Sequence, residues 1–506
     1  MDLFALILVL IIYFLKPQEW GELLNGLHPI QLVSALVVIS LFKKKGGFKL
    51  KDLFQTPHHW VVFAYFAWTI FASPTPFATF QLIKANILFY VLAVQALTAT
   101  PRLKTFMTWW AWLIMIVAIL ALLSEVGIDP LGSHDLTEGA MKGRLSLKLS
   151  MFNNPNALAH SVVPVIPMLY FLLFWKRSVM KAMVVVMFIP LLCIFLTQSK
   201  GAYLCAFATL ATTLTFGRPK MVQALILTLI VTIGVSALYA LPRMDELNKT
   251  KSDQAIQGRV AAARFGLECM QSSWTGNGWG NFAEEFFKRG PLKRDTPRET
   301  PHHYYKAAHN AYVQNGADLG YPGLFLFAGI LYCCLRTLMT AKTRDLEEER
   351  IRRILFSVVV SYSVSCWMVD FFYRTIFFLF AAATAALHMI LSKSKLEVVE
   401  ELPEVGPVFP WKDQLQTVVP SVLGVAQPLA AASSVPAANL QQMISPAQSS
   451  QPAAPSPAVG LHWTEKEETP TAATMKWNRY GVIDFLLNWT MTYCIIEYWK
   501  HIVKTM

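Results

Sequence analysis

Charged residues are scarce in this sequence. Asp, Glu, Lys and Arg make up 15% of its 506 residues, whereas soluble globular proteins carry about a quarter. Hydrophobic residues reach 54%. This balance excludes an ordinary soluble domain and indicates an all-α membrane protein that crosses the bilayer many times.

Cysteine is also sparse, and no disulfide framework is expected. Six of the seven cysteines fall within or beside apolar segments, and only Cys269 lies in a long polar loop. The net charge of +12 arises from short basic clusters between apolar runs. Such clusters are typical of membrane topology signals and argue against nucleic-acid binding. The first run, from Leu3, lacks a basic n-region and a cleavage site, which indicates a retained helix.

Apolar runs are abundant, and twelve of them are long enough, or nearly long enough, to cross a hydrocarbon core of about 30 Å. They lie near residues 3–15, 29–42, 59–72, 79–97, 106–124, 157–174, 180–197, 201–216, 221–241, 322–340, 354–371 and 375–391. We therefore expect about twelve transmembrane helices.

Lys and Arg are concentrated in every second connection, and such residues stay on the cytoplasmic side. The rich connections lie at residues 43–51, 102–104, 176–181, 218–220 and 336–353, and the poor ones at 16–28, 73–78, 125–156, 198–200 and 372–374. Both ends of the twelve-helix core are therefore expected in the cytoplasm. The long polar loop over residues 242–321 is expected on the outer face.

Composition divides the chain into three parts. Residues 1–395 form the predicted transmembrane domain, and residues 396–475, rich in Pro, Ala, Ser and Gln, have the composition of a disordered linker. Residues 476–506 are aromatic and apolar. A span over residues 480–496 would place the following basic residues outside, so we favour an amphipathic, interfacial or docked helix and leave the span open.

Four ionisable residues fall near the predicted outer ends of helices: Lys84, Lys200, Asp370 and Arg374. Ionisable residues at membrane depth are functional candidates. The alternative is structural, with Lys84 and Arg374 extended to the headgroups and Asp370 paired with Arg374 one helical turn away. Their position on one side favours an anionic ligand at the outer surface.

The long loop contains Arg259, whose guanidinium is suited to bidentate contact with a phosphate. A solvated surface arginine is the alternative. Gly276, Gly278 and Gly280 resemble a phosphate loop only loosely, because no strand precedes them, and a tight turn is favoured.

His309 lies just before residues 310–319, a segment that could form a short helix along the membrane surface before Gly320. A neutral imidazole is suited to accept a proton from a sugar hydroxyl, although a single loop histidine is often incidental. His302 and His303 lie nearby, but no thiolate or HExxH spacing accompanies them. The sequence therefore predicts no metal site.

Several separated stretches together resemble the O-antigen ligase and polymerase superfamily, the membrane glycosyltransferases that share the Wzy C-terminal domain. These are Phe152-Asn153-Asn154-Pro155-Asn156-Ala157-Leu158-Ala159, Leu196-Thr197-Gln198-Ser199-Lys200-Gly201-Ala202, Gly258-Arg259, Thr275-Gly276-Asn277-Gly278-Trp279-Gly280-Asn281-Phe282, His309-Asn310-Ala311-Tyr312-Val313-Gln314 and Gly320-Tyr321-Pro322-Gly323. The opening Leu15-Lys16-Pro17-Gln18-Glu19-Trp20 is similar to the amino-terminal region of related O-glycosylation ligases.

This resemblance implies a GT-C type helical bundle of the bacterial inner membrane, with its active site facing the periplasm. The donor would be a glycan on undecaprenyl diphosphate. His309 would be the general base, and Arg259 would bind the diphosphate with Lys200 and Arg374. Lys200 stands where the family usually has arginine, which keeps the charge but loses the bidentate fork.

Supporting or cavity-lining roles are assigned to Lys84, Arg264, Asn310, Asn156 and Asp370. The expected reaction transfers the glycan to an acceptor hydroxyl on glycan, lipid A-core or protein, as in lipopolysaccharide biosynthesis, without a cofactor. A repeat-unit polymerase and a protein O-glycosylation ligase remain alternatives. A solute transporter is the alternative of another class, although its site would lie at the membrane midplane.

Overall fold

The structure is a computed structural model that describes residues 2–20, 29–43, 48–175, 180–240, 254–290, 307–370, 374–393, 475 and 477–505. All of these belong to one compact unit, Met1–Val398 with Ala472–Met506. Within these ranges every regular element is a helix. The all-helical fold class is therefore confirmed for the part of the chain that the structure describes.

A helix covers each of the twelve apolar runs predicted from the sequence, and further helices lie between and after them. In chain order they are α1 (Asp2–Leu15), α2 (Pro29–Phe42), α3 (Pro57–Phe71), α4 (Pro76–Ala96), α5 (Thr100–Glu125), α6 (Ser133–Glu138), α7 (Pro155–Phe174), α8 (Met180–Leu196), α9 (Lys200–Thr215), α10 (Lys220–Ala240), α11 (Gln254–Ser272), α12 (Phe282–Arg289), α13 (Ala311–Thr340), α14 (Leu346–Ser365), α15 (Thr375–Ser392) and α16 (Val482–Thr505).

Five of the described helices are long and apolar enough to cross a membrane: α4, α5, α7, α13 and α15. Helix α2 and parts of α8 and α10 are apolar but shorter. The protein is therefore a helical membrane protein, and the number of about twelve spans stays a prediction.

Local sequence explains where several helices begin. Proline occupies the first turn of α3, α4 and α5, where its missing N–H has no helical partner to lose. The Asn154 side chain caps α7 by accepting a hydrogen bond from the Asn156 N–H at 2.9 Å. Asp345 caps α14 in the same way, accepting from the N–H groups of Glu347 and Glu348.

Contacts between connections define one end of the helices, which we call the basic end. Lys104, in the first turns of α5, forms a 2.8 Å ion pair with Glu347 of α14. Arg353 donates a hydrogen bond at 2.9 Å to the Phe216 carbonyl, where α9 ends. Connections that are rich in Lys and Arg thus meet at one end of the helices.

The opposite end, which we call the loop end, carries α11, α12 and the start of α13. Trp68 near the end of α3 donates a hydrogen bond at 2.8 Å to the Leu319 carbonyl of α13. Thr375 at the start of α15 donates to Asn86 Oδ1 of α4 at 3.0 Å. These bonds fix the first residues of α13 and α15 against the neighbouring helices.

Helix α13 begins earlier than the predicted run at 322–340. It starts at Ala311 and contains one non-helical residue, Gly320, with φ 68° and ψ −171°. A Cβ on Gly320 would lie 1.9 Å from the Trp274 carbonyl oxygen, so only glycine fits. The helix after Asn310 and the break at Gly320 were predicted, but residues 311–320 are buried inside the protein rather than lying along its surface.

The predicted linker over residues 396–475 lies outside the described residues except for Met475. The segment after it contains α16, which packs on α13 and α11. The long loop over residues 242–321 holds α11, α12 and the first turns of α13 in its described part.

Candidate functional site

The His309-Asn310 pair is held at the start of α13 by the Asn310 side chain. Asn310 is 2% exposed. Its Oδ1 accepts a hydrogen bond from the Val313 N–H at 2.9 Å, and its Nδ2 donates to the Trp367 carbonyl at 3.0 Å. The amide therefore caps α13 and ties it to the residues that follow α14.

The backbone strengthens this connection. The Ala311 N–H donates to the carbonyls of Cys366 and Val369 at 2.7 and 3.0 Å. His309 itself is half-buried and adopts φ 48°, in the left-handed region. Asn310 and Ala311 therefore fix the chain on the carboxyl-terminal side of His309.

Lys200 is the first residue of α9, and its neighbours bring it to the same region. Ser199 caps the helix, accepting from the Ala202 N–H. A Cβ on Gly201 would lie 3.0 Å from Met368 Cβ and 3.3 Å from His160 Nε2. Helix α9 can therefore approach α7 and the end of α14 closely only because residue 201 is glycine.

Three predicted cations belong to the region around His160. Arg259 of α11 and Arg374 before α15 both interact electrostatically with this imidazole, and the backbone of Gly201, the residue after Lys200, lies beside the same ring. The His160 ring is positioned by a 2.8 Å hydrogen bond between Nδ1 and Ser365 Oγ. Residues from three separate sequence motifs thus gather at the loop end.

Arg259 also lines a cavity of about 780 Å³. Trp367 and Met368 form part of its wall. Asn310 donates a hydrogen bond to the Trp367 carbonyl, and Gly201 packs against Met368. The remaining lining is almost entirely apolar. The arrangement can therefore accommodate an anionic group that is attached to an apolar chain.

The glycine-rich segment proves to be a structural turn. Its three glycines all have positive φ, and the N–H groups of Gly278 and Gly280 donate to the Asp318 carbonyl at 2.7 Å and to Asp318 Oδ2 at 3.1 Å. A Cβ on Gly276 would lie 2.6 Å from the same carbonyl oxygen. The predicted tight turn is confirmed. These two N–H groups are directed at a carboxylate-bearing residue of α13 and not at a ligand.

Three other predicted residues have these surroundings. Lys84 and Arg264 are exposed, and Lys84 donates a hydrogen bond to Gln81. Asp370 interacts electrostatically with Asp318. Asp370 follows α14, and Arg374 precedes α15.

Asn156 has a partner that the sequence analysis missed. Arg144 donates to Asn156 Oδ1 at 2.9 Å and to the Thr197 carbonyl at 3.1 Å, which ties the start of α7 to the segment before Lys200. The sequence offered one signal for Arg144: it lies in the connection over residues 125–156, which was predicted to be on the outer side. His160 was also missed, although an ionisable residue in an apolar run is a candidate by default.

The Lys16-to-Trp20 stretch is joined by hydrogen bonds to the connection before α7. Glu19 accepts hydrogen bonds from the Ser150 N–H and hydroxyl, both at 2.6 Å, and pairs with Lys16 at 3.0 Å. Burial raises the pKa of Glu19, but the Ser150 and Lys16 contacts outweigh it and leave the pKa below its ordinary value. This motif is structural in its contacts.

His302 and His303 lie outside the described residues. Among the residues that are described, no group of three His, Cys, Asp or Glu side chains is arranged to hold a metal ion.

These features define a helical membrane protein with cations and a histidine near one end of its helices. Residues 182–328 match the family model described as O-antigen ligase (Wzy_C), which confirms the resemblance to the O-antigen ligase and polymerase superfamily. The match supports a membrane enzyme that transfers glycans, with a lipid-linked glycan and an acceptor as partners. No curated protein matches the chain.

The matched segment spans under a third of the chain, from α8 into α13. It contains Lys200, Arg259 and His309. Asn156, Arg374 and all of α16 lie outside it, so the structure alone relates these elements to the matched segment.

Proposed function

We propose that the protein transfers a glycan from a polyprenyl-diphosphate carrier to an acceptor hydroxyl on the outer face of the membrane. The observation that carries the proposal is that Arg259, which lines an apolar cavity, and Arg374 interact electrostatically with one imidazole, His160, beside which the start of the Lys200 helix is packed. Cations gathered next to an apolar space suit a lipid diphosphate. They would replace the metal ion that other transferases use to neutralise it.

The electrostatic demand of the reaction fits this arrangement. The acceptor oxygen forms a bond to the anomeric carbon while the bond from that carbon to the diphosphate oxygen breaks. The electron pair leaves with the lipid diphosphate, whose negative charge increases. Arg259 and Arg374, preorganised around His160, would stabilise that charge in a partly dehydrated site, and Lys200 would add a point charge.

His309 would take the proton of the acceptor hydroxyl. General-base catalysis contributes about 10²- to 10⁴-fold when the base is within hydrogen-bond reach. The fixed backbone directly after His309 favours this role, because the segment that carries the imidazole needs less reorganisation before reaction. Attack from the face opposite the diphosphate would invert the anomeric centre.

Transfer in reconstituted membranes tests the assignment. His309→Ala and Arg259→Ala should abolish glycan transfer while the amount and heat stability of the protein are retained. His134→Ala and Lys288→Ala are matched controls, because these side chains are substantially exposed and pair with glutamates of their own helices. Near-normal turnover of either site variant would refute the assignment.

The proposed outer location agrees with the meeting of Lys- and Arg-rich connections at the basic end, opposite the site. The class of acceptor is decided by the surface-glycan profile of a deletion strain. Accumulated lipid-linked polymer indicates a ligase, and single-repeat products indicate a polymerase. An unchanged profile with altered solute uptake would instead indicate a transporter.

A further inference from the structure

Helix α16 lies antiparallel along α13, from the basic end towards the loop end. Near its start, Asp484 accepts a hydrogen bond from Tyr332 at 2.7 Å and lies 3.5 Å from Arg336 in an ion pair. One turn later, Asn488 donates to the Phe325 carbonyl at 3.1 Å. Increasing residue number in α16 thus corresponds to decreasing number in α13.

The two faces of α16 have opposite character. Its buried residues recur every three or four positions and are mostly polar: Asp484, Asn488, Thr492, Ile495 and Ile496. Its exposed face carries large apolar and aromatic side chains, among them Phe485, Leu486 and Trp489. Polar groups against protein and apolar groups outward are the pattern of a helix whose free side meets lipid.

The second half of α16 forms one wall of the 780 Å³ cavity that contains Arg259. This wall consists of Met491, Cys494, Ile495, Tyr498, Trp499 and Ile502. Trp499 stacks on Trp367 with ring centroids 5.5 Å apart, and Tyr498 meets the same ring edge-on at 5.1 Å. Through Trp367, whose carbonyl binds Asn310, the carboxyl-terminal helix adjoins the His309 segment.

We propose that this cavity receives the isoprenoid chain of the donor next to its diphosphate, so that α16 is part of the donor-binding site. The inference rests on the proposed function for the class of ligand. Among the described lining residues Arg259 alone carries a charge, which suits a molecule with one anionic head and a branched apolar chain. The volume lies within the range of about 300–1,000 Å³ typical of small-molecule sites, enough for the first isoprene units.

The chain supplies its own probe for this site. Cys494 is exposed on the cavity wall, whereas the other six cysteines are buried. Maleimide labelling of the purified full-length protein should therefore report on Cys494. At undecaprenyl diphosphate concentrations ten times its Kd, labelling should slow about tenfold, because only the unliganded protein reacts. Inorganic diphosphate, which lacks the chain, should leave the labelling rate unchanged.

A cysteine on another face of α16 provides the control. Leu486→Cys in a Cys494→Ser background should be labelled at the same rate with and without the lipid, since Leu486 is exposed and does not line the cavity. Filling the cavity by Cys494→Phe should weaken binding of the lipid diphosphate about tenfold, whereas Leu486→Phe should not.

Binding of radiolabelled undecaprenyl diphosphate is measured on the same samples. Binding without protection of Cys494, or no binding at all, would overturn the inference. Protection of Cys494 in a protein that transfers no glycan would support the lipid site and count against the proposed function. The two failures are therefore distinguishable.

Discussion

Asn310→Ala should impair catalysis by releasing the segment that holds His309. The substitution removes the helix cap on Val313, worth about 1 kcal/mol, and the bond to the Trp367 carbonyl, worth about 1 kcal/mol more. Since the site is buried, leaving that carbonyl without its donor brings the loss to roughly 2–3 kcal/mol. If all of it is lost from positioning of the base, turnover falls about 30- to 160-fold.

Two further substitutions divide this effect. Asn310→Ser keeps a good cap but cannot donate to the Trp367 carbonyl in the same way, so about half of the free-energy loss is expected, or roughly a tenfold fall in turnover. Asn310→Asp also keeps the cap but turns a carboxylate oxygen towards the carbonyl. That repulsion should make its turnover lower than that of Asn310→Ser.

Initial rates of transfer in proteoliposomes, measured against donor concentration, check this reasoning. The value of kcat should fall while the donor KM changes little, because Arg259 and Lys200 stand on other helices. Recovery of monodisperse protein after heating monitors global stability. Unchanged kcat in Asn310→Ala, or a rise in KM that accounts for the whole loss, would show that Asn310 does not position the base.

Three other predictions follow from single contacts. Lys200→Arg should retain more transfer activity than Lys200→Ala, and equal activity of the two would show that the charge is not used. Gly320→Ala should lower the midpoint of heat inactivation far more than Gly280→Ala: both have positive φ, but a Cβ meets the Trp274 oxygen at 1.9 Å only at Gly320. Comparable midpoints would contradict the packing argument. The pKa of Glu19 is lowered from 4.5 in the folded protein, so the contacts of its carboxylate with Ser150 and Lys16 should stabilise the protein above pH 4.5. This stabilisation should be lost as the pH falls through the pKa that Glu19 has in the folded state. Heat stability of Glu19→Gln should therefore depend less on pH over this range.

Helix positions could be predicted from the sequence because apolar runs record where side chains meet lipid or core. The burial of residues 311–320 could not, because Asn315 and Asp318 make the start of α13 look like a surface segment. In the structure these side chains are buried, and Asn315 donates to the Tyr65 hydroxyl at 2.6 Å. Hydropathy does not register polar side chains that form hydrogen bonds inside the protein. Helix α11 was missed for a related reason, since its Arg and Glu residues break the apolar pattern.

The site could be predicted in part. Motifs identified Lys200, Arg259 and His309. In the structure Arg259 interacts electrostatically with His160, the residue after Lys200 lies beside the same ring, and Asn310 bonds Trp367. The motifs say nothing about His160 itself or about Arg144, because their importance depends on contacts between helices that are distant in sequence. For α16, the basic residues that follow residue 496 argued against a helix that runs from the basic end to the loop end. In the structure the polar side chains of α16 pack on α13, and the helix runs towards the loop end.

Backbone strain at His309 links the positioning residues to the chemistry. A non-glycine residue at φ 48° is disfavoured by about 1 kcal/mol, and a free loop would relax to avoid it. Here Ala311 bonds two carbonyls of the α14 connection and Asn310 bonds a third, which together exceed that strain. The segment therefore holds the His309 backbone in a conformation that a free loop would avoid. Such a restraint favours proton transfer from an incoming hydroxyl, because orienting the base then adds little to the activation barrier.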